Sequence, residues 1–81
     1  KGTINEVQIY PRIIVETALR HKANSVILAH NHPGSSIEIS KADEEATKKI
    51  KLALNAISIQ VMDHIIVANN RYVSFAEKGL L

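Results

Sequence analysis

The apolar run Val26-Ile27-Leu28-Ala29 breaks off into His30-Asn31-His32-Pro33-Gly34, and that junction constrains the chain more than any other feature. A continuous apolar run opening at Ser25 reads as a strand covered on both faces, as in a sheet flanked by helices. Pro33 and Gly34 turn the chain away. Two histidines are left at the carboxyl end of what reads as the central strand, the place where α/β sheets hold their ligands.

The flanking sequence supplies matching elements. Thr3 to Tyr10, with Val7 and Ile9 on one face, predicts a short strand that Pro11 stops. Proline suits a first helical turn, and Arg12 to Lys22 follows with Val15, Ala18 and Leu19 as an apolar stripe, closed by Asn24 as a left-handed cap. Ser40 is the predicted N-cap of a second helix running to about Ala56, with Ala42, Ala46, Ile50, Ala53, Leu54 and Ile57 at helical spacing. Ile59 to Asp63, Ile65 to Ala68 and Arg71 to Ser74 read as strand sequence, with Asn69-Asn70 as the turn between the last two. The predicted order is β-α-β-α-β-β, an α/β fold of three layers (α/β/α sandwich) around a mixed β-sheet.

Composition excludes several classes. With 81 residues there is room for one small domain, and such a domain hides only roughly 60% of its unfolded surface, which leaves room for an oligomer or for support from further sequence or a metal. The chain starts at Lys1 and enters strand-like sequence at once, so the expectation is a fragment of a longer protein. It has no cysteine, which excludes disulfides and cysteine-based zinc sites and fits a cytoplasmic location. No apolar run approaches the ~18 residues a spanning helix needs, so no membrane partner is expected. A formal net charge of +2 lacks the basic stripe of a phosphate-binding surface, and nucleic acid is not indicated by charge. Lys48 and Lys49 follow Glu44 and Glu45 by four residues, a balanced helix face.

The chemistry concentrates at the strand end. His30 and His32 are two residues apart, so the pleat aims both side chains to one side with Cα atoms about 6–7 Å apart. Asp43 falls in the first turn of the next helix, which can swing back over the same strand end. Imidazole and carboxylate suit zinc, and three protein ligands leave a fourth position for water, the arrangement of hydrolytic rather than structural sites. Ser40-Lys41-Ala42-Asp43 is also a capping-box pattern, in which serine caps the helix and the acid caps back. His21 reads as a donor to the last carbonyls of the first helix, and His64, beside Asp63, as a structural histidine rather than a site residue, with tuning of the site from outside the ligand set as the lesser alternative.

His30-x-His32-Pro33, then six residues, then Ser40-x-x-Asp43, resembles the H-x-H-P-x(6)-S-x-x-D signature of the JAMM (JAB/MPN) metalloproteases. Leu28-Ala29-His30-Asn31-His32-Pro33, Asp63-His64-Ile65-Ile66-Val67, Tyr72-Val73-Ser74, Gly79-Leu80-Leu81, Gly2-Thr3 and Pro11-Arg12 resemble its bacterial RadC branch. The resemblance implies zinc on His30, His32 and Asp43, with Ser40 bonding the oxyanion or positioning a substrate carbonyl. It implies hydrolysis of a peptide or isopeptide substrate. Relatives carry Ser-Gly after the His-x-His-Pro and a proline before the serine, where this chain has Gly34-Ser35 and Ile39. The family's general base, a glutamate just before the Gly-Thr block, is expected ahead of Gly2-Thr3 and so off this sequence, with Glu6 and Glu16 outside its position. The alternative implication is a non-catalytic interaction module in DNA repair or mobile-element proteins. A zinc nucleobase deaminase, similar in strand and helix order, is excluded because it needs a Pro-Cys-x-x-Cys.

Overall fold

A computed structural model describes residues 11–81, so the strand expected over Thr3 to Tyr10 lies outside the described residues. Those described form α1 (Pro11–Arg20), β1 (Ser25–Asn31), α2 (Lys41–Ala56), β2 (Gln60–Ala68) and β3 (Arg71–Ser74). β1 and β2 pair in parallel, β2 and β3 antiparallel, giving a mixed sheet in the order β1-β2-β3. Among the described residues β2, not β1, is therefore central. Asn69 and Asn70 both take positive φ (47° and 62°), the conformation of the two-residue turn that matches strand twist, and so give β2 a second neighbour.

Two strand boundaries differ from expectation. β1 continues through His30 and Asn31, because His30 pairs with Ile66 and Asn31 with Val67 in the parallel ladder. The segments expected as separate strands on either side of His64 are one strand. A register shift between Val26 and Ile27 matches Val26 to Val61 but Ile27 to Asp63. The residue left over is Met62, and absorbing it lets β2 run on without a break.

α1, α2 and one face of β1 share a core of Ala18, Ile50, Leu54, Ile59 and Val61, with Ile14, Val15, Val26 and Leu28 packed against it. On the other face of β1, Ile27 is 65% exposed, so both helices contribute to the core on one side of this strand. The two-sided cover expected for β1 is not present among the described residues. A second core of Ile66, Val73 and Phe75 takes in Ile37 and Ile39 from the β1–α2 loop. Ile39 thus anchors the approach to α2 by apolar contact.

Both helices close with the same device. After α1, Ala23 N–H donates to Ala18 and Lys22 N–H to Leu19; after α2, Ile59 N–H donates to Leu54 and Ser58 N–H to Asn55. These paired bonds need a left-handed residue between them, and Lys22 (φ 54°) and Ser58 (φ 65°) supply it. The expected cap at Asn24 falls two residues earlier. A side chain at such a φ costs about 1–2 kcal/mol, partly offset by the entropy glycine loses on folding. Ser58→Gly should therefore raise unfolding free energy by about 0.5–1 kcal/mol in urea titration, and a loss of stability would contradict this account of the cap.

Candidate metal centre

Asp43, Thr47, Ile50 and Leu54 occupy one face of α2, and Ile50, Leu54 and Thr47 are all buried. The apolar stripe thus turns polar toward the start of the helix, where it meets the end of β1. His30 shares a face with Val26 and Leu28, the half-buried positions of β1, and His32 follows two residues on. His32 N–H donates to the Val67 carbonyl at 3.0 Å, which holds the strand end against β2 beyond the last ladder pair.

The helix start is fixed by a complete capping box. Ser40 Oγ accepts from Asp43 N–H at 3.0 Å, and Ser40 N–H donates to Asp43 Oδ2 at 3.1 Å. The carboxylate is thereby held in one orientation toward the histidines. Capping and presentation to the histidines, which the sequence allowed together, are carried out by the same side chain.

His32 Nε2 lies 3.0 Å from Asp43 Oδ2 and His30 Nε2 3.7 Å from Asp43 Oδ1. Ligand atoms of the three residues all lie within 4.8 Å of one another, close enough to hold one metal ion. Their side chains are only 8% (His30), 17% (His32) and 15% (Asp43) exposed, so the group is shielded from bulk water. The other ring nitrogens are turned away and occupied. His30 Nδ1 contacts His64 Nε2 at 2.8 Å, and His32 Nδ1 contacts the Ser36 carbonyl at 3.3 Å.

This arrangement fits a cation on the chemistry of its donors. The Ser36 carbonyl can only accept, so His32 carries a proton on Nδ1, and a neutral ring then presents its Nε2 lone pair to a carboxylate oxygen at 3.0 Å. Two lone pairs at that distance repel unless a proton or a metal ion lies between them. His30 Nε2 is buried with no hydrogen-bond partner, an orphaned polar atom aimed into the same space. Zinc-type sites characteristically have ligating imidazoles whose second nitrogen is held by another protein group.

The sequence reading left His64 and Thr47 out of the site. His64 is 1% exposed and stacks on Phe75 with ring centroids 4.5 Å apart. Its Nδ1 lies 2.7 Å from Thr47 Oγ1, which in turn donates to the Asp43 carbonyl at 2.7 Å. Two patterns point to these residues: stepping the helical period back from Leu54 and Ile50 lands on Thr47 and Asp43, and alternation along β2 puts His64 on the face of Ile66 and Ala68. Asp63 secures the other side, accepting from His64 N–H, Ala76 N–H and the Ser74 hydroxyl, and so ties the turn that carries Phe75 to β2. His21 contacts the Thr17 carbonyl at 2.9 Å at the end of α1, well away in the chain from the site. Glu16 pairs with Arg12 at 3.6 Å, both largely exposed.

Burial holds the His64 imidazole well below its ordinary value, at about 4, with the neighbouring His30 adding to the effect. Burial also lowers His30, against the raising influence of Asp43. For Asp43, burial acts upward but is outweighed by the Ser40 hydrogen bonds and the two imidazoles, so its carboxyl sits below the usual range. For Asp63 burial is again the largest single influence and acts upward, but the bonds from Ser74, Ala76 and His64 together outweigh it and hold the carboxyl below the usual range.

The sign for stability follows from which state binds protons. Below about pH 6.5 the unfolded chain protonates its histidines while the folded, metal-free protein keeps His64 neutral, so stability falls with pH by about 1.4 kcal/mol per unit for each such group. The two carboxylates act in the same direction only below about pH 4. The urea midpoint of chelator-treated protein should therefore drop between about pH 7 and about pH 5. An unchanged midpoint across that window would contradict a buried neutral His64.

Residues 1–80 match the family model described as RadC-like JAB domain. The chain is 48% identical over 81 residues to a UPF0758 protein of Variovorax paradoxus (strain S110), covering all of this chain and 36% of that protein. It is 46% identical over 81 residues to a UPF0758 protein of Nitrosomonas eutropha, again covering all of this chain and 36% of that protein. A UPF0758 protein of Pseudoalteromonas translucida is 50% identical over 80 residues, 99% of this chain and 36% of that protein. The chain thus spans about a third of the length of the curated relatives it matches.

Proposed function

The chain belongs to the RadC-like JAB domain family, and from that premise we propose that it is the metal-binding part of a zinc-dependent, metallopeptidase- or isopeptidase-like hydrolase. The observation that carries the reading is the convergence of two imidazole Nε2 atoms and one carboxylate in a shielded site, with both Nδ1 atoms already engaged. Imidazole and carboxylate donors suit zinc, and the family resemblance favours it over the other ions that such donors accept. His30, His32 and Asp43 hold it. When bound, the ion supplies Lewis acidity toward a carbonyl and lowers the pKa of water toward neutrality.

The chain's own groups do the rest. Three protein ligands leave one tetrahedral position open to reactants. Ser40 uses an oxygen lone pair on Asp43 N–H, which leaves its hydroxyl hydrogen free to donate to a substrate carbonyl oxygen or oxyanion beside the carboxylate. The Ile37 and Ile39 contacts with the second core keep that hydroxyl in place. The family resemblance places the general base on a glutamate in the segment preceding Gly2-Thr3, so joining that segment to residues 1–81 should raise hydrolysis at least ~100-fold.

Chelator-competition titration should find one zinc per chain. His30→Ala, His32→Ala and Asp43→Ala should each weaken it by about 100-fold or more, since each removes one ligand from a site that has only three from protein. Wild-type protein that stays metal-free at saturating zinc would refute the reading, as would an Asp43→Ala variant that binds normally.

A further inference from the structure

We propose that His64 and Thr47 are positioning residues that keep the proton of His30 on Nδ1, so that the Nε2 lone pair faces the metal position. The proposal rests on the metal-binding reading above for its consequence, and on hydrogen-bond chemistry between two neutral imidazoles for its direction.

The direction is set at a group that cannot donate. The Asp43 carbonyl is an acceptor only, so the 2.7 Å contact with Thr47 Oγ1 requires the threonine hydroxyl to donate to it. Thr47 then has only lone pairs left, and the 2.7 Å contact with His64 Nδ1 requires that nitrogen to carry a proton. A neutral His64 with its proton on Nδ1 has a bare Nε2, which must accept from His30 Nδ1–H at 2.8 Å. His30, neutral in turn, is left with a bare Nε2, and Nε2 is the atom that has no hydrogen-bond partner.

The opposite direction fails at both ends. If the Thr47 hydroxyl pointed at His64, two oxygens would face each other at 2.7 Å with no hydrogen between them. If His30 carried its proton on Nε2, that nitrogen would be a buried donor 3.7 Å from Asp43 Oδ1, beyond a useful hydrogen bond. Asp43 therefore acts twice. Its carboxylate faces the imidazoles directly, and its main-chain carbonyl, through Thr47 and His64, sets which nitrogen of His30 is free.

Two measurements test this on Thr47→Val and Thr47→Ser. Valine keeps the shape but removes the hydroxyl, whereas serine keeps the hydroxyl. In the metal-free protein, histidine ¹⁵N spectra of wild type and Thr47→Ser should show His30 Nε2 unprotonated and Nδ1 protonated. Thr47→Val should shift His30 toward the Nε2–H form and weaken zinc about 10- to 100-fold, the usual cost of losing a group that orients a ligand. Thr47→Ser should bind within a few-fold of wild type. A wild-type His30 protonated on Nε2 would overturn the proposal, and so would a Thr47→Val protein with unchanged tautomer and affinity. Should Thr47→Val fail to fold, the wild-type spectrum decides alone. A wild-type protein with the expected tautomer that binds no zinc would sink the metal reading while supporting the hydrogen-bond chain.

Discussion

The proposed metal centre depends on one approach, that of the first turn of α2 to the carboxyl end of β1. It brings an acidic side chain against two imidazoles while the rest of the helix buries Ile50 and Leu54. Apolar burial supplies the driving force for this docking, because the contact among the three polar groups is unfavourable when neither a proton nor a metal ion lies between them. Core packing holds the donors together, and the donors' mutual repulsion makes the site receptive to a positive ion. A site of this kind is stabilised by what it binds, since a ligand that prefers the folded state adds to its stability.

The donors are held by a layered arrangement. Ser40 and Asp43 orient each other through the capping box, so the same two residues start the helix and shape the site. His32 is oriented by the loop through Ser36, and His30 by His64 on the neighbouring strand. His64 is backed by Phe75, and Phe75 by a turn that Asp63 ties to β2. A change at Asp63 or Phe75 can thus reach the site through contacts that are all short and within the described residues. This network links the block around His64 to the site although none of its residues is among the three candidate ligands.

Much of this was legible in the chain. The strand ending at a His-x-His, the helix starting at Ser40, the Asn69-Asn70 turn and the candidate ligand set all follow from local periodicity and turn chemistry, which act over a few residues. That His64 meets His30 was not legible, although alternation put it on the buried face, because the contact depends on β2 lying parallel to β1 in a register that matches Leu28 to His64. That register includes a one-residue shift, which no local pattern announces. Thr47 escaped for a related reason: a threonine on a helix reads as neutral until the imidazole opposite is known. β1 looked like a strand covered on both faces because apolar runs do not reveal which face a small domain leaves open.

The central claim is that both histidines present Nε2, and Asp43 a carboxylate oxygen, to one shared ion. Diffraction from zinc-soaked crystals, recorded on both sides of the zinc absorption edge, tests it most directly. The account predicts a single anomalous peak about 2.0–2.2 Å from His30 Nε2, His32 Nε2 and one Asp43 oxygen, with the His30–His64 contact intact. A peak bound through Nδ1 of either histidine, or one lying away from Asp43, would contradict it.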